Sequence, residues 1–452
     1  MLTRRGLFTT GGVLAGGAVA AAVPRQTLAA AGPGGGVWDK SYSGGPVDRP
    51  ALSPGLPGRD YMPVVTPNGG PLPVKVVDGV KVFHLVAEEI EHEFAPGLVA
   101  TCWGYGGRVN ATTIEAVEGD RVRIYLTNRL SVPTTVHWHG IYLPNGMDGV
   151  SGLSQRPIRP GETFRYEWTL RQSGTFMYHS HHDTMTQEAM GLIGMLVIHP
   201  RDPAPEQRVD RDFALLLSEW FIDPGTHRPN PFEMTDFNVL TINGRCFPGT
   251  APLVVRTGDR VRIRFGNLSA TDHHPIHLHG YRFRVAATDG ERIPLSAQWS
   301  ETTVLVAVGQ TREIEFVADA PGDWAMHCHM THHVMNQMGH AIPNMVGIDP
   351  GDLDRSVGSL LPGYMTMGQG GMSGMGGMPM AVPENSIPMV GAGGPFDYID
   401  MGGMFTVLKV RDDLASYTED PGWYDHPPGT VADLAGPEEL ARDGVDPGAK
   451  PA

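Results

Sequence analysis

Residues 322–329, with the sequence GDWAMHCH, contain the one place in the chain where a cysteine lies between two histidines. His333 and Met338 follow this segment. A thiolate, imidazoles and a weakly bound thioether form the ligand set of a blue-copper electron-transfer site. Because successive residues of a β-strand point to opposite faces, a metal bound by Cys328 leaves its two histidine neighbours facing the other way. The segment therefore predicts a strand that joins two metal centres.

The same segment ends an internal repeat. Three pairs of segments recur in one order, at offsets of 139 to 148 residues: 118–124 and 257–263, 137–140 and 277–280, and 174–181 and 322–329. This order predicts two copies of one β-domain, over residues 74–202 and 209–350. Ser180 of the first copy stands where the second copy has Cys328, and a hydroxyl is a poor copper ligand beside a thiolate. The first copy is therefore predicted to lack a blue-copper centre.

Composition and hydrophobic pattern indicate an all-β chain. The 452 residues include 59 glycines and 39 prolines, which favour short strands and turns over long helices. Residues 80–86 and 121–126 alternate in the period of half-buried strands, and similar runs recur in the second copy. The formal net charge of −15 argues against nucleic acid and anionic membrane surfaces as partners.

The first 73 residues are predicted to lie outside the two domains. Residues 1–31 contain the pair Arg4 and Arg5, a weakly apolar run and an alanine-rich stretch. This arrangement is typical of a twin-arginine export signal, and it predicts a protein of the periplasm, cell surface or extracellular space. The run is too short and glycine-rich to span a bilayer, so no membrane anchor is predicted. Residues 32–73, rich in glycine and proline, are predicted to form an extended arm.

Histidine motifs recur through both copies of the repeat. They are HWH at 137–139, HSH at 179–181, HPIHLH at 274–279, and HCH at 327–329 followed by His333 and Met338. In this order they resemble the four copper motifs of the multicopper oxidases, a family that includes laccases, bilirubin oxidases and cuprous oxidases. The resemblance covers residues 74–350, and it implies two cupredoxin-like Greek-key domains of the β-barrel or sandwich type.

The resemblance also implies four copper ions per chain and the ligands of each. The type 1 copper ligands would be His274, Cys328, His333 and Met338. The type 2 copper ligands would be His137 and His277. The type 3 pair would be held by His139, His179, His181, His279, His327 and His329. Electrons would enter singly at the type 1 copper and pass through Cys328 to the cluster formed by the other three ions.

One acidic residue has a candidate role beside this cluster. Asp148 resembles an acid that supplies protons for water formation in the family, and a turn aspartate before glycine is the alternative interpretation. Laccase-like enzymes often carry a second acid directly after the last type 1 histidine. Val334 occupies that place here, so a second proton donor would have to come from elsewhere.

Residues 351–452 do not form a third copy of the repeat. They include six closely spaced methionines in a background of glycine, serine and proline: Met365, Met367, Met372, Met375, Met378 and Met380. Two interpretations remain open, a flexible low-complexity linker and a thioether trap for Cu(I) similar to the methionine-rich inserts of cuprous oxidases. Residues 405–410 (FTVLKV) are predicted to form a further strand on a domain edge.

Function and partners follow from the resemblance. It implies an oxidase that takes electrons from phenolic or aromatic substrates, or from metal ions such as Cu(I), and passes them to O2. A non-catalytic exported copper-binding protein for copper tolerance is the alternative. A copper nitrite reductase is a third possibility, but that class carries its cysteine motif in the first domain.

Assembly is also predicted from the domain count. Four cluster ligands come from each domain, and the chain has no spacer domain between them. Similarity to two-domain relatives implies a homotrimer with clusters between chains, closed by a repeated head-to-tail interface. A disulfide between Cys102 and Cys246 is left open, because an exported protein can carry one while the repeat offers no geometric support for it.

Overall fold

The computed structural model describes residues 50–337, 359–360, 384–389 and 391–449. The predicted export signal, Met338 and the six tail methionines lie outside the described residues. Within the described part of the chain, no helix is long and apolar enough to cross a membrane.

Two sheets form the first domain, with a core of large aromatic side chains such as Trp138, Trp168 and Tyr178. One sheet has the order β2-β3-β6-β8, with β4 paired to β3, and the other has the order β1-β5-β10-β9-β7. The strands are β1 (Gly70–Pro71), β2 (Val74–Val77), β3 (Val80–Ala95), β4 (Leu98–Tyr105), β5 (Thr112–Val117), β6 (Arg121–Asn128), β7 (His137–His139), β8 (Thr163–Thr169), β9 (Gly174–His179) and β10 (Ile193–His199). The short helix α1 (Thr184–Ala189) lies between β9 and β10.

The second domain has the same plan. One sheet has the order β12-β11-β14-β20-β16-β17, with β18 paired to β16, and the other has the order β13-β24-β21-β15-β19. The strands are β11 (Arg211–Trp220), β12 (Val239–Ile242), β13 (Leu253–Arg256), β14 (Arg260–Asn267), β15 (His274–Leu278), β16 (Phe283–Thr288), β17 (Glu291–Arg292), β18 (Trp299–Glu301), β19 (Thr303–Val306), β20 (Thr311–Val317), β21 (Gly322–Cys328) and β24 (Phe405–Arg411).

The remaining described elements are short. They are the hairpin β22 (Ala392–Gly394) and β23 (Asp397–Ile399), the helix α2 (Pro437–Arg442), and 3-10 turns at Asn145–Met147, Pro205–Gln207, Leu295–Ala297 and Thr331–Val334. The prediction of an all-β chain with two related domains is confirmed, because strands dominate both and the two α-helices have six residues each.

Strand β24 corrects the prediction for residues 405–410. It pairs in parallel with β13 and antiparallel with β21, so it lies inside the sheet rather than on its edge. In the first domain β10 pairs in parallel with β5 and antiparallel with β9. β24 is therefore the counterpart of β10, and it completes the second sheet from beyond residue 350. The prediction was wrong because the repeated motifs end at Cys328 and its neighbours, which left the last strand without a sequence marker.

The two domains share buried contacts. Met177, Met195 and Val197 of the first domain pack with Ala214 and Leu216 of the second. Polar side chains support this packing, since the Thr175 hydroxyl donates to Glu313 over 2.7 Å and Arg264 Nη1 donates to the Thr175 hydroxyl over 2.8 Å. These contacts fix the two domains against each other within one chain.

The disulfide left open by the sequence is not formed. Cys102 and Cys246 are both free thiols. Both are buried in one cluster that includes Phe94 and Trp220, where they pack as small apolar side chains.

Candidate metal centres

Three ligand-type side chains converge in the second domain, and we call this group the cysteine site. His274 begins β15, Cys328 ends β21, and His333 lies in the 3-10 turn Thr331–Val334. The Cys328 Sγ lies 3.8 Å from His274 Nδ1 and 3.5 Å from His333 Nδ1, and the two nitrogens are 3.1 Å apart. All three residues are buried. One metal ion could therefore contact all three donor atoms away from bulk water.

The outer nitrogens of both imidazoles have partners that the sequence did not reveal. Ser269 Oγ lies 2.6 Å from His274 Nε2, and Asp272 Oδ2 lies 3.4 Å from His333 Nε2. Such contacts fix which ring nitrogen faces the metal. Ser269 and Asp272 belong to the loop between β14 and β15, and no motif in that loop pointed to this role.

Burial at the cysteine site favours the neutral forms of the Cys328 thiol and the His274 imidazole when no metal is bound. Burial raises the pKa of the Cys328 thiol to about 12, with a further contribution from the Asp272 carboxylate. Burial, together with the neighbouring His333, lowers the pKa of His274 well below its ordinary value. The imidazole is therefore ready as a neutral ligand, while binding of a metal would displace the thiol proton.

Four histidines of the first domain form the first half-site: His137, His139, His179 and His181. His137 and His139 lie on β7, and His137 pairs directly with His179 across the sheet. The ring of His137 lies 5.3 Å from that of His179 and 5.5 Å from that of His181. The ligand nitrogens of His137, His139 and His179 lie within 4.8 Å of one another, which is close enough to share a metal ion.

A matching second half-site lies in the second domain: His277, His279, His327 and His329. His277 pairs directly with His327 across the sheet. The ring of His277 lies 5.7 Å from that of His327 and 5.6 Å from that of His329. His327 and His329 flank Cys328, so this half-site is joined covalently to the cysteine site.

The two half-sites do not meet within one chain. All eight histidines belong to the described residues, and their ring contacts below about 6 Å occur within each half-site and not between them. Each half-site therefore offers half of the histidines that the resemblance to the multicopper oxidases assigns to a trinuclear cluster.

Asp148 lies beside the first half-site. Its backbone oxygen is 2.8 Å from His137 Nδ1, and its carboxylate is 3.3 Å from the same nitrogen. The corresponding His277 Nδ1 instead meets the backbone oxygen of Thr302 at 2.7 Å and the hydroxyl of Thr303 at 3.0 Å. The two half-sites thus differ in charge around equivalent imidazoles.

The first domain has a hydrogen-bond network where the second has its cysteine site. Ser180 Oγ donates to Gln187 Oε1 over 2.5 Å, and Thr134 Oγ1 donates to the same oxygen over 2.7 Å. The 140-residue offset of the histidine motifs places Thr134 in the position of His274. In the first domain, hydroxyls therefore stand at the positions of His274 and Cys328, and both donate to the same Gln187 oxygen.

Comparison with known proteins agrees with this arrangement. Two family models, each described as multicopper oxidase, match residues 87–203 and 223–347, which together exceed half of the chain. The chain belongs to the multicopper oxidase family. Both domains are therefore of the cupredoxin type, and copper is the metal that the family implies for the His and Cys groups.

Individual relatives extend this likeness. This chain is 31% identical over 225 residues to copper resistance protein A of Escherichia coli, and the match covers 39% of this chain and 36% of that protein. The chain spans about two fifths of the length of the curated relatives it matches. Among solved structures, the multicopper oxidase mgLAC aligns with TM-score 0.55 and 27% identity, over 74% of this chain and 87% of that one. The blue copper oxidase of Nitrosomonas europaea aligns with TM-score 0.54 and 26% identity, over 73% and 85%.

Proposed function

We propose that this multicopper oxidase removes single electrons from small reductants at a type 1 copper and uses four of them to reduce O2 to water at a trinuclear copper cluster. One observation carries the proposal. Cys328 lies in the cysteine site, while His327 and His329 on either side of it belong to the second half-site. One tripeptide thus joins a site suited to one-electron transfer with a site suited to several metal ions.

The donor atoms present fit copper. A buried pair of imidazoles with one thiolate matches the preferred ligands of a blue-copper site, and a set of imidazoles alone suits copper in its other protein sites. Copper bound in these places would supply one-electron chemistry at the cysteine site and multi-electron chemistry at the cluster. Four ions per chain follow from the proposed assignment of type 1, type 2 and type 3 ligands, in which Met338 would be the fourth type 1 ligand.

Residues of the chain would orient the ligands, connect the two sites and supply protons. Ser269 and Asp272 hold the outer nitrogens of the type 1 imidazoles, so that both Nδ1 atoms face the Cys328 sulfur. The backbone between Cys328 and its histidine neighbours provides the covalent route for electrons. Asp148, next to His137, holds a carboxylate where protons are needed for water formation.

The separated half-sites support a trimer. A cluster needs both half-sites, and these do not contact each other within one chain. Rotation by one third of a turn around a closed ring would bring the first half-site of one chain to the second half-site of the next. We therefore propose a homotrimer with three interchain clusters.

The substrate and the location are proposed from the relatives, from a residue beside the type 1 site and from the N-terminal motif. The relative named copper resistance protein A supports Cu(I) as a reductant, and the relatives named laccases support phenolic or aromatic molecules. Asp272 is partly exposed beside His333, which would favour cationic reductants at the type 1 site. The twin-arginine motif in residues 1–31 supports export.

Oxygen uptake by the copper-loaded protein tests the proposal. Cu(I), a phenol and Mn(II) are offered in turn, with Cys328→Ser as the control that removes the electron entry point. We expect O2 uptake with at least one reductant and none above background for the variant. Copper binding without O2 uptake from any reductant would contradict the proposal and favour the non-catalytic copper-binding alternative.

A further inference from the structure

Equivalent imidazoles in the two half-sites differ in what holds their outer nitrogen. His327 Nδ1 lies 2.9 Å from the backbone oxygen of Cys328, and His179 Nδ1 lies 3.0 Å from the backbone oxygen of Ser180. His179 Nδ1 has a second contact, at 2.6 Å from the carboxylate of Glu188. For His327, the described residues provide no such carboxylate contact. The first half-site thus has an ionic partner that its counterpart lacks.

Helix α1 holds Glu188 in this place. Gln187, the preceding residue, is buried, and its side-chain oxygen accepts hydrogen bonds from Ser180 and Thr134. The Gln187 amide nitrogen also donates to the backbone oxygen of Pro133 over 2.8 Å. Because Gln187 is anchored at three points, the backbone of Glu188 has a fixed position beside β9.

The second domain shows that this carboxylate is not a requirement of the fold. The 148-residue offset between the HSH and HCH motifs places Asn336 opposite Glu188. The Asn336 amide donates to the backbone oxygen of Phe247 and accepts from the backbone N–H of Gly403. The equivalent position therefore ties down a loop in the second domain, whereas it contacts a candidate metal ligand in the first.

We propose that Glu188 is a positioning residue for His179, an inference that rests on the proposed function of the half-sites. The carboxylate accepts the proton of Nδ1, which fixes the tautomer and leaves Nε2 free to bind copper. That Nε2 lies 3.4 Å from His139 Nδ1, so the two atoms already face each other. The negative charge also makes the imidazole a stronger donor to copper.

Copper affinity tests this role without relying on turnover. Glu188→Ala removes the partner, Glu188→Gln keeps an acceptor without the charge, and Glu291→Gln changes an exposed acid as a matched control. Each protein is loaded with copper and then challenged with a chelator, while the blue absorption of the cysteine site serves as an internal reference. Near-ultraviolet absorption of the coupled type 3 pair, to which His179 is assigned, reports any change in the surroundings of that copper.

We expect Glu188→Ala to lower the affinity for cluster copper by about 10- to 100-fold, the usual effect of losing an outer-sphere partner of a metal ligand. Glu188→Gln should lose less, and the blue absorption of every variant should match that of the wild type. An unchanged affinity of Glu188→Ala for cluster copper would overturn this inference but not the proposed function. If that variant does not fold, unchanged affinity in Glu188→Gln would overturn it instead. Wild-type protein that binds no cluster copper would overturn both the inference and the proposed function.

Discussion

Ser180 and Cys328 occupy equivalent positions in the two domains, but their side chains contact different groups. Cys328 Sγ lies within 3.8 Å of two imidazole nitrogens, whereas Ser180 Oγ donates a hydrogen bond to Gln187. The repeat thus retains the strand and its flanking histidines in both domains, while the thiol and its imidazoles occur in one. Under the proposed function, this difference would give the chain a single electron entry point for two half-sites.

Removal of the thiol should separate electron entry from the cluster. We expect Cys328→Ser to lose the blue absorption. Turnover should fall by at least about 100-fold, because loss of a metal ligand should cost more than loss of a residue that only contacts a ligand. Cluster copper should remain, because its ligands are not changed. Metal analysis and visible absorption check this result, with Cys102→Ala as the control for loss of a buried thiol. Retention of the blue colour in Cys328→Ser would contradict the assignment.

Mixed trimers can test where the cluster lies. His139→Ala disables the first half-site and His279→Ala disables the second, so each variant alone should be inactive. In a closed head-to-tail ring that contains both variants, one of the three junctions joins two intact half-sites. Co-refolded chains should therefore recover activity, up to about a third of the wild-type value per mixed trimer. Absence of any recovery in confirmed mixed trimers would point to a cluster within one chain.

The proton role of Asp148 predicts a change in the oxygen half of the reaction. Asp148→Asn keeps the size of the side chain but removes its carboxylate from His137. We expect steady-state turnover to fall by about 100-fold, within the usual range for loss of a general acid. Reduction of the blue site by substrate, followed by stopped-flow absorption, should keep its wild-type rate. Equal slowing of both steps would assign Asp148 a structural role at the turn.

Glu219 predicts how stability depends on pH. Burial raises the pKa of this carboxyl to about 8, and the neighbouring Asp272 carboxylate contributes to the rise. The folded protein therefore holds a proton that the unfolded chain releases above its ordinary pKa of 4.5. The free energy of unfolding should fall between pH 4.5 and 8, by up to about 1.4 kcal/mol per pH unit.

Glu219→Gln provides the comparison, because it stays neutral at every pH. Urea unfolding of metal-free wild type and variant at pH 5 and pH 8 should show the variant gaining stability relative to the wild type as pH rises. A difference between the two proteins that does not change with pH would contradict the buried, protonated state of Glu219.

The sequence predicted the parts of the structure that have a repeated pattern. Two copies of the strand pairs around HWH and HSH or HCH were visible because their ligands recur at regular offsets. The position of β24 was predicted wrongly because β24 and its counterpart β10 have no sequence motif in common, although they pair in the same way within their sheets. Many more residues separate β21 from β24 than separate β9 from β10, so the repeat offset did not mark the end of the second domain.

The contacts around the candidate metal ligands were less predictable than the candidate ligands themselves. Ser269 and Asp272 lie in a loop and Glu188 lies in a short helix, and hydroxyl and carboxylate residues are common in such places. Their relation to His274, His333 and His179 depends on how three separate elements pack. By contrast, a cysteine between two histidines indicates a metal site from the sequence alone, because the three side chains are consecutive in the chain.

The ratio of electrons taken up to O2 consumed tests the central claim most directly. Fully copper-loaded protein is supplied with a counted amount of one-electron reductant in an oxygen-electrode cell, and catalase is then added to detect peroxide. We predict four electrons per O2 and no O2 return on addition of catalase. Uptake of two electrons per O2 with release of peroxide, or no O2 uptake by the copper-loaded protein, would contradict a trinuclear cluster fed through Cys328.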